Sequence, residues 1–165
     1  MSKTRSGRKI VARKPSFDPR VKYSGKKNSM QEEVRHAVTY AEFAWEQPLY
    51  QSKAVGTSNT AYNLAVADYL GKPEVLDIDI RGWDHQVSQG ILIRARDNFM
   101  ILSVRLVIRN VDEILEEGEA EQSPLDGLIW KYTTQTPVMR QPGIVLEAFA
   151  YDLPGNIGKY SIELR

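Results

Sequence analysis

The hydrophobic rhythm of this chain changes near residue 73, and that change limits the possible folds more than any other feature. Upstream, apolar residues recur at three-and-four spacing, as in Val34, Ala37, Val38, Ala41, Ala44 and Trp45, and again in Ala61, Tyr62, Ala65, Val66, Tyr69 and Leu70. Downstream they alternate with polar residues: Leu76, Ile78 and Ile80, then Ile91, Ile93 and Ala95, then Val104, Leu106 and Ile108. A period of 3.6 puts side chains on one face of a helix, and a period of 2 puts them on one face of a strand. The chain therefore reads as helices followed by strands.

Punctuation sharpens both halves. Ser29-Met30-Gln31-Glu32 is a capping box, which predicts a helix from there to about Glu46, ended by Pro48. A second helix is expected from Thr57 or Ser58 to Leu70, with Gly71 as its stop and Pro73 just beyond. Weaker alternating runs continue at Ile114–Glu119 and over residues 128–133, 144–151 and 159–164, bringing the strands to seven. Turn residues stand between them, at Asp97-Asn98, Asn110-Val111-Asp112, Pro142-Gly143 and Pro154-Gly155-Asn156. Seven short strands without an intervening helix favour an antiparallel two-sheet sandwich, with a small barrel as the chief rival. The expected class is α+β: a flexible basic arm over residues 1–28, a helical pair over 29–72 and a seven-stranded sandwich over 73–165.

Part of this pattern resembles a known family. Ala95-Arg96-Asp97 followed by Ile101-Leu102-Ser103-Val104 looks like the second and third strands of bacterial immunoglobulin-like domains. The run from Ala148 to Asn156, through Asp152 and Gly155, is similar to the corner that leads those domains into their last strand, and Trp130-Lys131-Tyr132 to their aromatic strand. The resemblance covers residues 73–165. It implies a seven-stranded immunoglobulin-like sandwich with an adhesive, spacing or protein-binding role, usually in an exported protein.

The net charge of +1 conceals a sharp asymmetry. Lys3, Arg5, Arg8, Lys9, Arg13, Lys14, Arg20, Lys22, Lys26 and Lys27 oppose Asp18 alone in residues 1–28, a net +9, while residues 29–165 carry −8. With so little apolar surface, the first 28 residues are expected to be disordered. Such an arm suits phosphates, with Phe17 and Tyr23 available for stacking, or an acidic protein surface, or it serves as a solubilising tail. An acidic stretch (Asp112, Glu113, Glu116, Glu117, Glu119, Glu121, Asp126) could receive the arm of another copy, although charge that protects an edge strand explains it more simply.

Chemistry-bearing constellations are sparse. The sequence has no cysteine, so neither a disulfide frame nor a thiolate site is available. It also lacks a phosphate loop, a serine elbow and a paired-histidine helix motif. Asp77, Asp79, Asp97 and Asp152, with Asn98 and Asn156, lack the compact spacing of a calcium loop. Trp83-Asp84-His85 falls in the first inter-strand connection, where Trp83 is either a contact residue or folded over the sandwich end. No catalytic residue, metal or cofactor is assigned. The expected role is a non-catalytic interaction or assembly protein that uses the helical faces (Trp45, Tyr62, Tyr69), Trp83 and the cationic arm. The alternative is a nucleic-acid-binding protein without sequence specificity. No apolar run reaches the roughly 20 residues of a membrane span, and the basic opening lacks a secretory apolar core. The expected location is cytoplasmic, with export by a non-classical route as the alternative.

Overall fold

The structure, a computed structural model, describes residues 25–165, with side chains from residue 29 onward. The chain divides into two compact units after Gly71. Lys3 to Lys22 of the arm lie outside the described residues. So does the expected disorder of residues 1–24.

The first unit holds α1 (Gly25–Ala44), α2 (Pro48–Ala54) and α3 (Ala61–Leu70). Three helices replace the expected pair. The first begins at Gly25, so the Ser29–Glu32 box lies inside it and Lys26 and Lys27 belong to the helix rather than to an arm. Nothing between Gly25 and Ser29 forbids helix, and a nucleated helix propagates at little cost. Pro48 does stop α1, but it also starts α2, because its fixed φ suits a first turn whose N–H has no partner. The third helix is capped by Thr60, whose Oγ1 accepts from the Asn63 N–H at 3.0 Å, rather than by Thr57 or Ser58. Thr57 is committed to its own turn, donating to the Ala54 carbonyl at 2.9 Å.

Small side chains set this unit's packing: Ala37, Ala41, Ala44, Ala61 and Ala65 are all buried. A buried polar chain crosses it. The Tyr50 hydroxyl donates to Asp68 Oδ2 at 2.6 Å, and the Tyr40 and Tyr50 hydroxyls are 2.7 Å apart. Burial, and then the Asp68 and Tyr40 bonds, hold the Tyr50 phenol far above its usual range, so it stays a donor at every physiological pH.

The second unit, Lys72–Arg165, contains eight strands: β1 (Glu74–Asp79), β2 (Gly90–Arg96), β3 (Ile101–Arg109), β4 (Ile114–Glu119), β5 (Glu121–Gln122), β6 (Ile129–Thr133), β7 (Val145–Asp152) and β8 (Ile157–Glu163). Seven are those expected, and the two-residue β5 is additional. They form two antiparallel four-stranded sheets, ordered β1-β2-β6-β5 and β4-β3-β7-β8. Ile78 faces Ile93, Ile93 faces Trp130, and Ile108 faces Leu146. Residues of both sheets share one core, which includes Ile91, Ile93, Leu106, Ile108, Trp130, Tyr132 and Leu146. Each buried Ile or Leu is worth about 2 kcal/mol.

The sheets meet at both edges. After β4 the chain crosses between them, with the Ala120 N–H donating to the Val104 carbonyl at 2.8 Å. At the other edge, Gly158 of β8 lies against the backbone just before β1, so close that a Cβ there would fall 2.1 Å from the Pro73 carbonyl oxygen.

An ion-pair cluster on the β3–β7–β8 sheet makes a first prediction. Glu147 is held by Arg109 at 2.9 Å and by Lys159 at 3.0 Å. Arg109 is the main cause of a carboxyl held below its ordinary value near 4.5; burial opposes it and Lys159 assists. A depressed folded-state pKa means that the unfolded chain binds the proton first as pH falls. The pair's contribution is therefore complete above about 4.5 and disappears as pH drops through the lower folded value. Urea midpoints of wild type and Glu147→Gln should differ at pH 6 and converge towards pH 3. A constant difference across that range would refute the assignment.

Candidate functional site at the loop end

The antiparallel order brings three connections to one end of the β unit. The segments after β1 (80–89) and after β6 (134–144) emerge there because β1 and β6 both run antiparallel to β2, and the segment after β3 (110–113) reaches the same end, where Val111 lies beside Gly143. The first of these is the segment that the sequence singled out through Trp83 and His85.

Its conformation is fixed from within. His85 and Ser88 both adopt φ of 62°, a left-handed geometry that non-glycine residues rarely take. Thr134 and Gln89 hold it there. The Thr134 hydroxyl donates to the Gln86 carbonyl at 2.7 Å and accepts from the Gln89 N–H at 2.9 Å, while its carbonyl accepts from the Ser88 N–H at 2.7 Å. Gln89 Oε1 accepts from the Asp84 and Gln86 amides at 2.6 and 3.2 Å. Across the end, the Val138 N–H donates to the His85 carbonyl at 2.9 Å.

Trp83 and His85 stack, with ring centroids 4.2 Å apart and planes 19° from parallel. Trp83 is only 7% exposed and belongs to the core cluster, so it does not form the open contact residue expected. The loop folds back, and indole burial outweighs exposure for so large an apolar ring. Beside the stack, Arg140 pairs with Asp84. The rim carries the apolar side chains that Trp83 does not supply: Val87 at 49% exposure, Val111 at 83% and Met139 at 79%. Val111 packs next to Gly143, linking the second and third loops.

The remaining sequence candidates are not brought together here. Trp45 is 42% exposed at the end of α1, whereas Tyr62 and Tyr69 are half-buried, and Tyr69 sits 5.4 Å from the Tyr40 ring. Much of the acidic stretch is committed internally: Arg105 pairs with Glu117 and Glu119, and Glu116 is buried. These charges line the edge strand β4, as edge protection requires. Arg140, Thr134 and Gln89 went unnoticed in the sequence, since none belongs to a motif and each acts on residues far along the chain.

The opposite end carries the turn that the sequence likened to a family corner. Asp152 organises it: Oδ1 accepts from the Asn156 N–H at 2.6 Å, Oδ2 from the Asn156 amide at 3.0 Å, and Gly155 supplies φ of 97°. Burial is the main reason the Asp152 carboxyl is held above its usual range, and the neighbouring Asp97 adds to it against the Asn156 bonds. A pocket of about 430 Å³ opens nearby between Asp97, Phe99, Met100, Leu128 and Trp130.

No protein-family model matches the sequence, and no curated protein matches it. Among solved structures, CopC from Methylosinus trichosporium OB3b is similar over 55% of this chain and 89% of its own, at 14% identity and a TM-score of 0.39. Among the described residues, no helix is long and apolar enough to cross a membrane.

Proposed function

We propose that this chain is a non-catalytic interaction and assembly protein. In this reading the β unit is an immunoglobulin-like sandwich that acts as a rigid body, the helices add an apolar contact surface, and the basic arm is an electrostatic tether. One observation carries it: a loop held in a strained, internally bonded shape beside Val87, Val111 and Met139, large apolar groups left in water. Strain persists where surrounding contacts over-determine it, and it concentrates at sites that must be preorganised. Exposed apolar groups gathered on a rigid end suit a protein interface. The charge division, +9 in residues 1–28 against −8 beyond, favours another copy of this chain as the partner.

Sedimentation velocity of the full chain at micromolar concentrations tests the reading. Oligomers should form, weaken as salt is raised beyond the range where charges about 10 Å apart still interact, and vanish in Val111→Asp/Met139→Asp. Both substitutions lie on the surface, so the melting temperature should stay unchanged. A monomer under all conditions, or association indifferent to the double variant, overturns the reading. Binding of single-stranded DNA by the arm, with affinity falling steeply with salt while the chain stays monomeric, would favour the nucleic-acid alternative.

A further inference from the structure

The two sheets end in four outer strands, β1 and β5 in one, β4 and β8 in the other. β1 and β8 meet at the Gly158 seam, and β5 has only two residues. β4 has six, and among the described residues their backbone groups bond only to β3. The Ala120 N–H donates to the Val104 carbonyl, and from there the register pairs Glu119 with Arg105, Gly118 with Leu106 and Glu117 with Val107. Antiparallel partners alternate between pairs that exchange hydrogen bonds and pairs that do not. Gly118 therefore bonds to β3, whereas Glu117 and Glu119 turn their N–H and C=O groups to the open side. Their side chains are 41% and 60% exposed. With Asp112 and Glu113, both exposed, they set four carboxylates along this edge, and among the described cations only Arg105 pairs with any of them. An edge charged in this way repels a copy of itself and accepts a strand of opposite charge.

We propose that this edge takes up residues 20–23 of a second copy as an added strand. Arg20-Val21-Lys22-Tyr23 alternates cation and apolar residue with the period of a strand. Arg20 and Lys22, two positions apart, fall on one face, as Glu117 and Glu119 do on β4, so the cross-strand neighbours carry opposite charge. The backbone of the arriving segment satisfies the outward N–H and C=O groups of Glu117 and Glu119. These bonds supply affinity, and charge sets which strand is accepted. Pro19 comes first, where a strand tolerates proline. The complement extends beyond these residues, since residues 1–28 carry +9 and the remainder −8. The inference rests on the reading of the chain as an assembly protein and gives its tether a seat. That seat is continuous with the apolar rim, because β4 begins at Ile114, directly after the hairpin tip that carries Val111.

Amide hydrogen exchange of the full chain, read by mass spectrometry at single residues, tests this at Glu117 and Glu119, with Gly118 as the internal reference. In the oligomer the two amides should exchange about tenfold more slowly than in the diluted monomer, as one added hydrogen bond each implies, and Gly118 should change less. Arg20→Glu/Lys22→Glu and Val21→Pro should each abolish the difference, the first through charge and the second by removing a backbone donor. A synthetic peptide of residues 16–24, added to the Val21→Pro chain, should restore slow exchange saturably. The same peptide with Glu at both cations should not. Fast exchange at Glu117 and Glu119 in an intact oligomer, an inactive peptide, or protection that survives both variants would overturn the proposal and leave the assembly reading standing. Protection unchanged by dilution would show the chain's own arm on the edge and overturn the second copy as donor. A chain that stays monomeric at every concentration sinks the assembly reading; the peptide then reads the edge by itself, and its saturable binding upholds β4 as the seat of this segment.

Discussion

Alanine at Gly158 is expected to cost this protein about 3 kcal/mol or more and to lower its melting temperature by about 10 °C or more. The cause is the seam where the two sheets meet. An added Cβ would sit 2.1 Å from the Pro73 carbonyl oxygen, 2.8 Å from the carbonyl carbon and 3.3 Å from Glu74 Cα. All three are backbone atoms, so no rotamer change relieves the clash. β8 must move off β1, or its pairing with β7 at Ala150 must shift. Gly155→Ala is the control, since a Cβ there meets open space and the cost comes only from its φ of 97°. That cost is about 1 kcal/mol. Thermal melts of the two variants should separate clearly. Equal melting temperatures would mean that the seam yields freely and that the sheets are not held together there.

Removing the Glu116 side chain should be comparably damaging. Its carboxylate is buried and accepts from the Tyr132 hydroxyl at 2.6 Å, the Gln135 N–H at 2.6 Å, the Thr136 N–H at 3.2 Å and the Thr136 hydroxyl at 2.9 Å. Glu116→Ala removes the acceptor of all four and orphans the buried Tyr132 hydroxyl, while Gln135 and Thr136 are exposed residues. Hydrogen bonds to a charged group are worth about 1.5–3 kcal/mol, and the orphaned Tyr132 hydroxyl adds to the loss, so about 4 kcal/mol is expected. Tyr132→Phe removes a single donor and should cost about 1–2 kcal/mol. Burial, with Glu116 next, holds the Tyr132 phenol above its usual range, so the hydroxyl keeps its proton and its role as donor. Urea denaturation checks both variants. The 134–144 segment hangs from this carboxylate, so Glu116→Ala should also broaden the NMR signals of His85, which that segment braces through the Val138 N–H. A variant as stable as wild type would show that water replaces the carboxylate without loss.

Glu116 also marks where sequence reading reached its limit. In the run Ile114-Leu115-Glu116-Glu117-Gly118-Glu119 nothing distinguishes it from its solvated neighbours. Its burial depends on donors from Tyr132 and from residues 135 and 136, which reach it only once β6 is in place. Pro48 misled for a related reason: a helix stop and a helix start use the same residue, and only the burial of Tyr50 shows that a new helix follows. At the loop end, Trp83 and His85 drew notice as rare residues in a turn. Their stacking, the brace from Thr134 and the pairing of Asp84 with Arg140 join positions tens of residues apart, and no local pattern records them.

By itself, then, the chain's order of residues determined the rhythm of each element, the turn at Asp152 to Asn156 and the separation of positive arm from negative body. Those properties depend on neighbours within a few positions, where side-chain spacing and backbone preference act directly. Tertiary structure alone decided which carboxylate went inside, which tryptophan was covered and how the sheet edges met. Each of these depends on strand pairing across long stretches of chain, and pairing partners are selected by the whole core rather than by any segment of it.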